Sequence, residues 1–142
     1  MSEKSEESQE ATFDDNLIYR KFPKHDPRQV DAFRFDFSTT RIKLSSISPI
    51  QRYRFIRELS LIGHSIKDTS AILSMPQIYR LNLSWNKIKN IIPLCSLSNL
   101  EDLTLNHNRI TAIPFEITQL TKLKVLRINN NYLNDQRDFI RL

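Results

Sequence analysis

Ser84, Asp102 and His107 bring a hydroxyl, a carboxylate and an imidazole, the three groups from which a hydrolytic triad is assembled. Their spacing of about one repeat unit sets them on neighbouring turns of the chain and on one face. That face is open, so it excludes water poorly, and no set of donors is placed to hold an oxyanion. The chain therefore reads as non-enzymatic, with no small-molecule substrate. Metal chemistry is no better supported. His25, His64 and His107 stand far apart and Cys95 is the only cysteine, so no metal-ligand spacing occurs. With Gly63 as the only glycine there is no loop to cradle a phosphate, and no cofactor is expected.

The residues suited to binding are more numerous. Arg80, Asn82, Asp102, Asn106 and Arg127 alternate with leucines or isoleucine and so point away from the apolar side. Trp85, Lys87, His107, Arg109 and Tyr132 follow just beyond. Trp85, the only tryptophan, sits in a slot expected to be exposed, and Trp and Arg are the residues most enriched at binding hot spots. The competing reading is that its ring lies over its own turn and shields the bend.

A recurrent unit positions these side chains. Ile78-x-x-Leu81-x-Leu83-x-x-Asn86-x-Ile88 returns as Leu100-x-x-Leu103-x-Leu105-x-x-Asn108-x-Ile110. It returns again as Leu123-x-x-Leu126-x-Ile128-x-x-Asn131-x-Leu133. The period is 22, then 23 residues. In each unit the alternating segment predicts a short strand with leucines inward. The asparagine amide can donate and accept, so it can satisfy backbone groups of the adjacent unit where strand bonding stops.

A second ladder, spaced by three, reads Leu44, Ile47, Ile50, Tyr53, Ile56. It recurs as Ile66, Thr69, Ile72, Met75, Ile78 and as Ile88, Ile91, Leu94, Leu97, Leu100. That spacing fits a return path of 3₁₀ turns or a short helix. Carried backwards by 22, the pattern gives Leu59, Leu61, His64 and Ile66, with histidine in the asparagine slot. One step further it gives Phe37 opposite Leu59, with a poor strand. Five coils result: 34–55, 56–77, 78–99, 100–122 and 123–142, the first degenerate and the last incomplete.

This pattern resembles the leucine-rich repeat family. Coil 78–99 is similar to the 22-residue type of phosphatase regulators, and Ile113-Pro114-Phe115-Glu116-Ile117 to the 23-residue type of Ras-pathway scaffolds. The resemblance implies an α/β solenoid with a short parallel sheet on its concave face. It also implies a scaffold or regulatory subunit that binds another protein there. It names no partner, because function does not follow from fold.

Flanking segments complete the layout. Residues 1–15 carry six acids and one base and lack apolar periodicity, so they are expected to be a disordered acidic tail. Residues 16–33 carry the bulky apolar Leu17, Ile18, Tyr19, Phe22, Val30 and Phe33, with Asp26-Pro27 opening a short helix over about 27–34 that caps the first coil. Asn134 is placed to cap a short helix burying Phe139 and Leu142. The alternatives are that the chain is a fragment of a longer protein or that a partner covers this end.

The other 127 residues hold 20 bases against 10 acids. A basic body admits, as the alternative, a ribonucleoprotein component that meets RNA directly or through protein contacts, although Glu58 and Asp102 interrupt the basic row. The acidic tail can mask that body or merely keep it soluble. No apolar run is long enough for a membrane span. A single cysteine and no signal-like apolar segment point to cytoplasm or nucleus.

Overall fold

The computed structural model describes residues 10–12, 34–36, 43–48, 50, 53 and 56–134. Five short parallel strands stack into one sheet and two more form a separate pair, and from Lys43 onward the chain returns from each strand to the next through 3₁₀ turns. The strands are β1 (Glu10–Thr12), β2 (Arg34–Asp36), β3 (Lys43–Ser46), β4 (Glu58–Ser60), β5 (Arg80–Asn82), β6 (Asp102–Thr104) and β7 (Val125–Arg127). Sheet order is β2-β4-β5-β6-β7, with β1 and β3 forming a separate pair. No α-helix occurs among the described residues. The return segments Ser70–Ser74, Ile92–Ser96 and Phe115–Gln119 are 3₁₀.

Register follows the repeat. Leu59 pairs with Leu81, Leu81 with Leu103, and Leu103 with Leu126. Leu81 and Leu103 are fully buried, while Leu126 on the last coil packs against the core but stays partly exposed. The spacing of three has a direct cause. Ile72 N donates to Thr69 O at 3.0 Å, Met75 N to Ile72 O at 2.9 Å, and Ile78 N to Met75 O at 3.1 Å. Each i→i−3 bond closes one 3₁₀ turn, so every third side chain returns to the same inward line. Ile47, Ile50, Tyr53 and Ile56 repeat this one coil earlier, and all four are buried.

The bend asparagines bond as the repeat requires. Asn108 Oδ1 accepts from Ile88 N at 3.0 Å, and its Nδ2 donates to Leu83 O at 2.9 Å and Leu105 O at 3.1 Å. Asn86 does the same one coil back, accepting from Ile66 N and donating to Leu61 O and Leu83 O. Asn131 does it one coil forward, with Ile110 N, Leu105 O and Ile128 O. In the histidine-substituted slot, His64 Nδ1 accepts from Leu44 N at 3.3 Å.

Two expectations for the N-terminal region need correction. Phe35, not Phe37, pairs with Leu59. The cause is the length of the bend: Leu44 lies nine positions after Phe35, whereas its counterpart Ile66 lies seven after Leu59. Two extra residues shift the strand while leaving the ladder from Leu44 onward in step.

The acidic tail is also not wholly without structure. Glu10–Thr12 form β1, parallel to β3, with Glu10 opposite Lys43 and Ala11 opposite Leu44. Without β1, the outer edge of β3 would present unpaired backbone groups. Charge composition says nothing about such an edge. Of the helix expected over 27–34, Arg34 is in β2 and the remainder lies outside the described residues, as do the other expectations for 1–9 and 13–33. The C-terminal cap expected from Asn134 to Leu142 falls on residues 135–142, also outside them.

Candidate functional site

Successive coils convert equal positions into rows across the sheet. The first row reads Glu58, Arg80, Asp102, Val125, and the second Ser60, Asn82, Thr104, Arg127. Their charges are matched internally. Arg80 meets Glu58 at 3.3 Å and Arg127 meets Asp102 at 3.1 Å. Tyr79 also donates its hydroxyl to Glu58, and Arg80 lies 5.8 Å from the Tyr79 ring centroid. The Glu58 carboxylate that accepts the phenolic proton holds Tyr79 above its ordinary pKa, and desolvation adds to this. On the same edge Lys124 bonds Glu101 at 2.7 Å and holds that carboxyl below its usual range.

Beyond the strands the chain turns outward. Gly63 N donates to Ser84 O, Trp85 N to Asn106 O, and His107 N to Asn129 O. Gly63, Trp85, His107 and Asn130 thus occupy one row, and all four are left-handed, with φ of 77°, 60°, 55° and 55°. A side chain in that conformation costs roughly 1–2 kcal/mol relative to the right-handed form. Three non-glycine residues bear it here, at equal positions of successive coils.

Trp85 is 58% exposed, as its slot requires. It does not lie over its own coil. Its ring stacks on His107 of the next, with centroids 3.6 Å apart and planes 11° from parallel. Asn130 Nδ2 lies 3.0 Å from His107 Nε2 and continues the row. The adjacent row holds Ser65, Lys87, Arg109 and Tyr132, of which Arg109 and Tyr132 are exposed and Lys87 half-buried.

The ten residues singled out from sequence separate into two groups. Arg80, Asn82, Asp102, Asn106 and Arg127 lie on or at the edge of the sheet and are mostly engaged with one another or with backbone. Asn82 Oδ1 accepts from Ser84, and Asn106 Oδ1 accepts from Asn129 N. Trp85, Lys87, His107, Arg109 and Tyr132 form a rim beside them. Sequence reasoning missed Gly63 as a member of the rim. The signal was present, since the single glycine of the chain falls in the same slot as Trp85, His107 and Asn130.

The triad candidates are not connected. Ser84 Oγ donates to Asn82 at 2.8 Å, His107 is held between Trp85 and Asn130, and Asp102 serves Arg127. Among the described residues no three His, Cys, Asp or Glu side chains converge as metal ligands, and no helix is long and apolar enough to cross a membrane.

Cys95 is buried, with its Sγ 3.4 Å from Ile91 O. Burial first, and Glu116 second, push its thiol up to about 11. The native thiol is therefore expected to resist alkylation at pH 8 and to react promptly once the chain is unfolded in urea. Because its ordinary value is near 9, native stability should decline as pH rises from about 9 towards 11, where the unfolded chain sheds this proton first. Rapid native labelling would show that the convex side opens.

Residues 98–140 match the family described as Leucine Rich repeats (2 copies). The chain is 40% identical over 55 residues to Toll-like receptor 10 of Bos taurus, covering 39% of this chain and 7% of the receptor. It is 33% identical over 95 residues to the volume-regulated anion channel subunit LRRC8D of Rattus norvegicus, covering 64% of this chain and 11% of that protein. It thus spans a small part of each.

Among solved structures it superposes on an internalin of Listeria monocytogenes with a TM-score of 0.63 and 27% identity, covering 68% of this chain and 28% of that one. Internalin C2 of the same species gives a TM-score of 0.67 at 20% identity, over 81% and 53% of the two chains, a likeness of fold. A Leptospira interrogans leucine-rich repeat protein gives 0.61 at 26% identity, over 70% and 27%.

Proposed function

We propose that this chain, a leucine-rich repeat solenoid, is a non-enzymatic scaffold or regulatory subunit. It grips another protein on its concave side, in the cytoplasm or nucleus. The observation that carries this reading is Trp85, a large aromatic side chain held 58% exposed at the edge of a rigid sheet. Exposed tryptophan is costly to keep in water, and its rotamer is fixed here by the His107 stack. A pre-ordered aromatic anchor loses little entropy on binding. Repeat sheets of this kind present extended surfaces, and leucine-rich repeats generally serve as protein-binding modules.

RNA stands second to a protein partner. A basic body supports it, but the arginines over the sheet are each committed to a carboxylate, which leaves few cations for a phosphate track. Binding that weakens steeply with salt would favour RNA.

The test is affinity purification with wild type and Trp85→Ala. Trp85→Ala is expected to lose the partner while changing folding stability by no more than about 1 kcal/mol, the worth of an exposed stack. Retained capture with a large fall in stability would reassign Trp85 to the scaffold.

A further inference from the structure

Trp85 has two faces. One is covered by His107 of the following coil. The opposite face is turned to the preceding coil, where the same slot is held by Gly63, which has no side chain. With Trp85 still 58% exposed despite the His107 stack, the described residues leave a shelf here, floored by the Gly63 backbone and walled by the indole. A planar group entering it would extend the stack already begun by His107.

The surroundings are positive. Residues 56–134 hold nine Lys and Arg against five Asp and Glu. Three of the five acids are consumed by Arg80, Lys124 and Arg127. Asp68 accepts from Ser70 and Glu116 lies by Cys95. Lys67, Lys89 and Arg109 are exposed and have no ion pair among the described residues. All three lie in the segments that follow the strands, outside the strands themselves.

Resting on the reading above of a protein-binding module, we propose that the rim takes an acidic peptide segment of the partner. One aromatic side chain of that segment seats against Trp85 over Gly63, and its flanking carboxylates meet Arg109, Lys67 and Lys89. The charge of the rim selects the acids, and the shelf selects the planar group. A single-stranded nucleic acid is the weaker fit. It tracks a run of stacking platforms along a continuous basic groove, whereas the exposed rings of this rim, Trp85 and Tyr132, stand two coils apart and Glu58 and Asp102 lie on the adjoining sheet.

Trp85 is the only tryptophan, so its fluorescence reports the shelf directly. The probes are acetyl-Glu-Glu-Phe-Glu-Glu-amide, its Phe-to-Ala and Glu-to-Lys counterparts, and a single-stranded oligodeoxythymidine. The phenylalanine peptide should perturb Trp85 and bind more tightly than either counterpart. Gly63→His places in the slot a residue type already left-handed at His107, so the fold should persist while the shelf is filled. Affinity should drop about tenfold, and similarly for Arg109→Glu. Should Gly63→His fail to fold, Gly63→Asn repeats the test with the residue type found at Asn130.

The proposal is overturned if the phenylalanine peptide binds no better than the alanine one, if Gly63→His binds it unchanged, or if the oligonucleotide alone binds. Partner capture that survives Gly63→His but is lost in Arg80→Glu would retain the concave-face reading and discard the rim.

Discussion

Asn108→Ala is expected to lower folding stability by about 3 kcal/mol, read from the shift of a urea unfolding midpoint at constant slope. The side chain satisfies Ile88 N–H and Leu83 C=O on the preceding coil and Leu105 C=O on its own. It is itself 5% exposed, so water cannot replace it. Alanine would leave those groups buried and unpaired, each at roughly 1–3 kcal/mol with partial relaxation. Asn108→Asp would restore the acceptor for Ile88 but lose both donations, and so should not rescue the fold. Asn131→Ala makes the control. Asn131 has equivalent partners on the last described coil but is only half-buried, and about 1 kcal/mol is expected there. Equal losses at the two positions would show that the bonds, as drawn, do not carry the energy.

Leu103→Ala should cost about 3–4 kcal/mol, near the upper part of the range for buried leucine truncation. Leu103 is fully buried between Leu81 and Leu126 in the ladder, and rigid coils on both sides prevent collapse into the void. Leu126→Ala should cost roughly half as much, because Leu126 is only partly buried and the hole can be hydrated. Since coils contact mainly their neighbours, the Leu103 loss should broaden or split the transition rather than merely displace it. Circular dichroism and Trp85 fluorescence followed in parallel would reveal that as non-coincident curves.

The repeat could be read from sequence where each position has one physical duty. Leu81, Leu83, Leu103 and Leu105 must face inward, Asn86 and Asn108 must both donate and accept, and Ile72, Met75 and Ile78 recur with the 3₁₀ turn. Such constraints leave a periodic trace. The first coil was ambiguous because Phe33, Phe35 and Phe37 alternate with Arg34 and Asp36 and offer equivalent inward positions, so register there depends on the neighbour at Leu59 rather than on local pattern. β1 left no trace for a related reason: an edge to be covered is a property of the assembled fold. The Trp85–His107 stack was beyond sequence as well, since it requires the left-handed bend to aim both rings along the row. The slot itself was visible, marked by Gly63.

In-register stacking is what turns separate repeats into one continuous sheet, and a nuclear Overhauser spectrum tests it most directly. Ring protons of Trp85 should show strong cross-peaks to the His107 imidazole, as rings 3.6 Å apart require, and Leu81 amide and side-chain signals should connect to both Leu59 and Leu103. Cross-peaks joining the Trp85 ring only to residues of its own coil, with Leu81 contacting neither neighbour, would contradict the account.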